Sequence, residues 1–322
     1  MTLTQGAVRE LAADILQQPV ESVERLEDGL IHETWAVAVR GDEYIVQYTP
    51  AAAEYSENLE MTVISYQLAQ GTGIPVPRIV SDGVESAAVN GKEYRLYAAE
   101  RLPGTPLAAR SAPGLVREAI SYLPQIHDLR TFPAPGWITP DSGELTVTAF
   151  DGGSWREMIW TRFRDNLEEL AEHLPAEQHA EAARIAESYR ERVPDDIEPC
   201  LCHNDFSPDN ILATGEAVTA VLDFDFIVAG HNERDLVKTA SAFRIANETD
   251  RELIYTAYDR YRDLSPGFRR WEPVYRVTTV MEIVASFFEL SPDLPPDREA
   301  ALIRNVEEAV TAAGAELEEA AQ

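Results

Sequence analysis

The spacing of apolar positions changes about a third of the way along the chain. Leu3 to Leu16 recur at helical intervals and predict a short helix. Three short apolar runs follow: Val23 to Leu26, Thr34 to Val39 and Tyr44 to Tyr48. Turn residues around Asp28-Gly29 and Gly41-Asp42 separate them, so these runs predict a β-meander. Leu59, Val63 and Tyr66 then lie on one helical face, and Gly71 to Gly73 end that helix. The stretch GIPVPRIV returns the chain to extended structure, because each proline disfavours helix in the residue before it. Tyr94 to Leu102 reads as a further strand, stopped by Pro103-Gly104.

Beyond Gly104 the period becomes helical. Leu115 to Leu129 predicts a helix, Arg130 to Gly153 a Pro/Gly-rich excursion, and two more helices are expected at 154–173 and 177–194. A strand is expected around Val218 to Phe224. The rest is mostly helical and ends in an acidic helix with Leu302, Val306, Val310 and Leu317 on one side. The implied architecture is α+β and bilobal. A small antiparallel-sheet lobe covers 1–102, and a larger helical lobe covers 103–322. A cleft between lobes is a usual place for a small ligand. The sequence has no internal repeat and no low-complexity segment.

Charge narrows the partners. The chain carries 56 acidic against 27 basic residues, a net −29, and only Lys92 and Lys238 are lysines. Nucleic acid and anionic membrane surfaces both require Lys/Arg-rich faces, so neither is expected as a partner. Dense carboxylates with almost no lysine resemble the proteins of salt-accumulating archaea, where a Debye length of about 3 Å at 1 M salt damps self-repulsion. The chain shows no signal pattern and no apolar run of membrane-spanning length, so a cytoplasmic protein is expected. Cys200 and Cys202 point to one face of a strand. Followed by His203, they read either as packing on a buried strand or as part of a metal site.

The stretch LCHNDFSPDNIL, Leu201 to Leu212, packs His203, Asn204, Asp205, Asp209 and Asn210 between two apolar segments. Asp205 and Asn210 are five apart, and Asp223 lies 13 beyond Asn210 on the next apolar run. Phosphoryl transfer from ATP needs a carboxylate to orient the attacking hydroxyl and take its proton. It also needs two oxygen ligands, usually Asp and Asn, to hold Mg²⁺ on the phosphates. This spacing supplies all three.

These residues resemble the aminoglycoside phosphotransferase/choline kinase-like family, relatives of the protein kinases. The family's catalytic loop, His-Gly-Asp-x-x-x-x-Asn, stands here as HNDFSPDN. Its metal strand and the following helix stand as VLDFDFIVAG and RDLVKTA. GIPVPRIV, ERLPG and LPQIHDL extend the likeness over most of the chain. The resemblance implies a small-molecule kinase with ATP and Mg²⁺ as cofactors and a small-molecule hydroxyl acceptor (amino alcohol, aminoglycoside or sugar). It makes Asp205 the catalytic base and Asn210 and Asp223 the Mg²⁺ ligands. His203 would brace the loop, and Asp235 would hydrogen-bond it. Backbone near Glu100 and Leu102 would bind adenine. Asp225 would either join the metals or face solvent. Trp155, Arg162, Tyr258, Trp271 and Glu282 are plausible acceptor liners.

Two features depart from the family pattern. Where its third strand carries a Lys or Arg for the phosphates, this chain has Gln47 in YIVQYT. A neutral amide can donate a hydrogen bond but cannot neutralise phosphate. The N-acetylhexosamine 1-kinase branch is similar, with a Gln on this strand and an Asp-x-Asp metal strand. The competing reading is a nucleotide-binding pseudokinase. Glu60, with Glu57 as alternative, would be the helix acid that pairs with the basic residue. The turn EDGLIHETW, with Gly29, His32 and Thr34, sits where a phosphate-covering loop belongs. AVLDFDFIV also looks like the strand of aspartyl-phosphate hydrolases, in which Asp223 would be the nucleophile and Asp225 the acid/base.

Overall fold

The computed structural model describes residues 3–26, 31–109, 112–150, 153–215, 217–291 and 294–319. The chain opens with helix α1 (Gln5–Leu16), strands β1 (Ser22–Leu26), β2 (Glu33–Val39) and β3 (Asp42–Pro50), and helix α2 (Asn58–Ala69). Strands β4 (Glu85–Val89), β5 (Lys92–Glu100) and β6 (Thr105–Pro106) lead into α3 (Pro113–His127). Next come β7 (Gly136–Asp141), β8 (Glu144–Ala149), α4 (Trp155–Glu169) and α5 (Ala176–Tyr189). Strands β9 (Cys200–Cys202), β10 (Ile211–Thr214), β11 (Ala217–Val221) and β12 (Val228–Gly230) frame the polar stretch. Helices α6 (Asn232–Asn247), α7 (Arg251–Asp259), α8 (Phe268–Leu290) and α9 (Pro296–Glu319) follow. The chain forms two compact units. The first comprises Met1–Thr105, Ile138–Thr146 and Ile211–Phe226, and the second comprises the remaining segments.

The first unit is built on an antiparallel sheet of order β1-β2-β3-β5-β4. Side chains alternate across a strand, so each strand feeds two faces. Trp35, Val37, Val46, Tyr48, Tyr94, Leu96 and Ala98 share one face with Val8, Leu11, Ala12 and Ile15 of α1. Tyr97 and Ala99 pack on the other face against Leu59 and Val63 of α2. That α2-side face also carries Gln47 and Arg95, because Gln47 is registered with Tyr97 and Thr49 with Arg95. Thr4 caps α1 by accepting from the Ala7 N–H, and Gln17 ends the helix in the left-handed conformation.

Three tight turns set the strand registers. Arg40-Gly41, Asn90-Gly91 and Ser142-Gly143 all have positive φ at both central positions, the geometry that matches the twist of a hairpin. Two of them close strands that the apolar pattern does not predict. β4 is Glu-Ser-Ala-Ala-Val, whose small residues give almost no alternation, yet Asn90-Gly91 is a strong hairpin signal. The expected irregular excursion at 130–153 contains β7 and β8, closed by Ser142-Gly143. Gly104 is required by packing. At φ +139 its Cβ would lie 2.8 Å from Thr219 Oγ1 and 3.1 Å from the Ala213 nitrogen, under the β10–β11 hairpin.

The second unit is mainly helical. Leu302, Val306, Val310 and Leu317 of α9 are all fully buried, so the apolar stripe predicted there is its packed face. β12 pairs antiparallel with both β9 and β7, which ties Cys200 to Cys202 into a small buried sheet just before the polar stretch.

Candidate active site

Within the second unit, the chain leaves β9 into a loop held from beneath by one carboxylate. Asp235, on the first turn of α6, accepts from the His203 N–H and the Asn204 N–H, both at 2.9 Å, and sits 3.1 Å from His127 Nε2. His127 Nδ1 contacts the Tyr258 hydroxyl at 2.9 Å. Burial alone would raise the Asp235 pKa, but the hydrogen bond and charge of His127, with the loop amide, hold it below the usual carboxylate range. The tether fixes Asn204 in the left-handed conformation, φ +61, and so sets the direction in which Asp205 leaves the loop.

Asp205 and Asn210 meet. Asn210 Nδ2 donates to Asp205 Oδ2 at 2.8 Å and to the Asp205 carbonyl at 3.0 Å, which leaves the amide oxygen of Asn210 for a cation. The Asn210 N–H donates to the Ser207 carbonyl in a 3₁₀ turn over Pro208–Asn210. His203 is fully buried, edge-on to Phe206. Cys200 and Cys202 are buried with sulfurs 3.9 Å apart. Among the described residues, His127, Cys200 and Cys202 are the one grouping with metal-ligand spacing. Both nitrogens of His127 are already engaged, by Tyr258 and Asp235.

A second network supports the same loop. Asn204 Oδ1 accepts from Arg234 Nη1 at 2.8 Å and from Lys238 Nζ at 3.2 Å. Glu282, buried on α8, takes Lys238 Nζ and Arg162 Nη2 at 2.7 Å each, and Arg234 as well. Burial would raise its pKa, but the three cations hold it well below the carboxylate range. Of the other expected acceptor liners, Trp155 is buried and donates to the Tyr275 hydroxyl at 2.8 Å, and Tyr258 is buried against His127. Trp271 donates to Glu233 at 2.8 Å. Trp155, Tyr258 and Glu282 are therefore core residues rather than pocket walls.

In the first unit, the strand before Asp223 ends earlier than its apolar run. β11 stops at Val221, because Asp223 has φ +64, which no strand accommodates. The Asp223 N–H donates to the Tyr66 hydroxyl at 3.2 Å, and Phe224 is buried edge-on to Tyr66. Asp225 turns inward. It is 7% exposed, accepts from Thr62 Oγ1 at 2.5 Å and lies 3.0 Å from His32 Nε2. The solvent-facing reading made from sequence gives way to a buried carboxylate. His32 in turn faces Asp225. Residues 27–30 of the expected phosphate-covering turn, Gly29 included, lie outside the described residues.

Gln47 is held at both ends of its amide. Nε2 donates to Thr34 Oγ1 at 3.0 Å, and Oε1 accepts from the Tyr97 hydroxyl. Glu60 does pair with a basic residue, but one strand over: Arg95 of β5, at 2.6 Å. Sequence reasoning missed Arg95 because only the β3–β5 register sets it beside Gln47 on the α2-side face. The Glu100 N–H is spent on the Arg78 carbonyl and the Arg101 N–H on the Glu43 carbonyl. Among the described residues the Leu102 N–H has no acceptor.

A free amide oxygen such as that of Asn210 suits a hard divalent cation such as Mg²⁺. Residues 22–274 match the phosphotransferase enzyme family, and the chain belongs to that family. Its fold is that of several solved kinases. Aminoglycoside phosphotransferase APH(4)-Ia aligns at a TM-score of 0.70 and 14% identity, over 96% of this chain and 99% of that one. Amicoumacin kinase hAmiN, solved with AMP-PNP, Ca²⁺ and its substrate, aligns at 0.66 and 17%, over 96% and 94%. Spectinomycin phosphotransferase APH(9)-Ia, solved with ADP and spectinomycin, aligns at 0.63 and 13%, over 98% and 99%. No protein of curated function matches the chain. No helix among the described residues is long and apolar enough to cross a membrane.

Proposed function

We propose that this phosphotransferase is an ATP-dependent kinase that moves the γ-phosphoryl group to a hydroxyl of a small molecule, in the cytoplasm. The observation that carries the reading is the Asp205–Asn210 pair on a loop anchored by Asp235. Asp205 orients the acceptor hydroxyl and takes its proton, and Asn210 fixes one oxygen of that carboxylate. Asn210 and Asp223 would hold Mg²⁺, which neutralises charge on the phosphates when bound. The strained left-handed backbone at Asn204 and Asp223, about 1–2 kcal/mol each, supports a functional role for both turns. Asp225 acts through position, bracing the turn that carries Asp223. That role, with Asp225 already committed to Thr62 and His32, disfavours the aspartyl-phosphate hydrolase.

Gln47 need not signal a dead enzyme. Arg95, held by Glu60 on the same face, supplies the missing positive charge towards the nucleotide, and the Leu102 N–H offers an adenine donor. The reading is tested by Asp205→Ala and Asp223→Ala. Each abolishes ATP-dependent phosphorylation in a metabolite-library screen run in molar KCl, with far-UV circular dichroism unchanged. Full activity in Asp205→Ala refutes the assignment. Mg-ATP binding without turnover on any acceptor indicates a pseudokinase.

A further inference from the structure

Glu282 is a buried carboxylate on α8. Three cations, Arg162, Arg234 and Lys238, converge on this one carboxylate. Asp205 also acts electrostatically on Lys238, and Arg162 acts on Glu169 of the same helix. Anchoring a buried carboxylate does not require a third cation, and each additional desolvated cation costs free energy unless an anion meets it. Lys238 records that cost: burial, then Arg234 and Arg162, pull its pKa down.

The three cations differ in exposure. The Arg162 side chain is 28% exposed, against 13% for Lys238 and 5% for Arg234. Arg162 spends only Nη2 inward, on Glu282. Its guanidinium lies 4.7 Å from the ring centre of Trp137, one of two large apolar side chains exposed among the described residues. A planar guanidinium backed by an aromatic ring, with two further N–H edges unspent among the described residues, is preorganised for a bidentate oxyanion. Arg234 and Lys238 both hold Asn204, whose next neighbour is Asp205.

From this geometry we propose that Arg162 and Lys238, backed by Trp137, form an oxyanion subsite beside Asp205, and that the natural acceptor is a hydroxy acid or another anionic alcohol. This rests on the kinase reading only in taking Asp205 as the group that meets the acceptor hydroxyl.

Inorganic sulfate serves as the probe, titrated calorimetrically into the full-length protein at constant chloride, with and without saturating Mg-AMP-PNP. The expected result is one saturable sulfate site, retained with the nucleotide bound, weakened at least tenfold in Arg162→Gln and partly restored in Arg162→Lys. In parallel, glycerate is compared with glycerol, and glucuronate with glucose, as phosphate acceptors. The acid of each pair that turns over is favoured at least tenfold in kcat/KM, and Arg162→Gln erases the preference through KM. The proposal is overturned by no saturable sulfate binding, by displacement of sulfate by AMP-PNP, by unchanged binding in Arg162→Gln, or by preference for the neutral alcohol. If AMP-PNP itself does not bind, the kinase reading fails, and the sulfate titration still decides the subsite.

Discussion

Replacing Asp235 by Asn tests whether one carboxylate holds the 203–210 loop. Its two oxygens serve three partners: the Asn204 N–H on Oδ1, and the His203 N–H and His127 Nε2 on Oδ2. Asparagine keeps the shape but offers one acceptor oxygen. In either orientation its NH₂ faces at least one backbone N–H, leaving a buried donor without an acceptor at about 1–3 kcal/mol. The bonds that survive lose their ionic component, roughly another 1 kcal/mol. The total is about 2–4 kcal/mol, read as a lower urea midpoint at unchanged slope. Turnover should fall at least tenfold, because Asn204 is freed from the left-handed geometry that aims Asp205. Pairing the change with His127→Gln should give a coupling energy of about 1 kcal/mol or more, since the two side chains share a contact. A variant with the wild-type midpoint, or one that loses stability but keeps full turnover, would refute the tether.

Other expectations follow from single contacts. His231 is buried against the Tyr275 hydroxyl, and burial, with His127 and Arg262 nearby, pulls its pKa down to about 3. The unfolded chain takes up that proton near pH 6.5, so this contribution to stability is complete above pH 6.5. It is lost at about 1.4 kcal/mol per unit as pH falls towards 3. His231→Gln should flatten the dependence of the urea midpoint between pH 6 and 4. Arg95→Gln should weaken Mg-ATP binding at least fivefold by calorimetry while costing less than about 1 kcal/mol in stability, because its pair with Glu60 is partly exposed. Gly104→Ala should destabilise by about 2–4 kcal/mol in the same urea titration, through the positive φ and the contact of its Cβ with Thr219.

Much of the fold was legible because periodicity is a local property. The meander β1–β3, the helices flanking the sheet and the buried stripe of α9 all follow from apolar spacing that each segment carries by itself. β4 and the β7–β8 hairpin escaped because short strands of small or mixed residues show little alternation. Their Asn-Gly and Ser-Gly turns were the available signal. The family was legible too, since HNDFSPDN and VLDFDFIVAG hold its motif residues at short, fixed spacings.

What sequence by itself determined is therefore the kind of reaction and the frame that supports it: an α+β phosphotransferase with Asp205, Asn210 and Asp223 at the family's motif positions. Tertiary structure alone decided which groups neutralise and which brace. Asp225 is buried by His32 and Thr62, distant in the chain. Glu60 finds its cation on β5 because strand register, not sequence separation, sets which side chains share a face. Arg162, Arg234, Lys238 and Glu282 come from three helices, and no spacing along the chain announces that they meet. A buried charge depends on every partner within a few ångströms, so its role can be read only once the chain has folded around it.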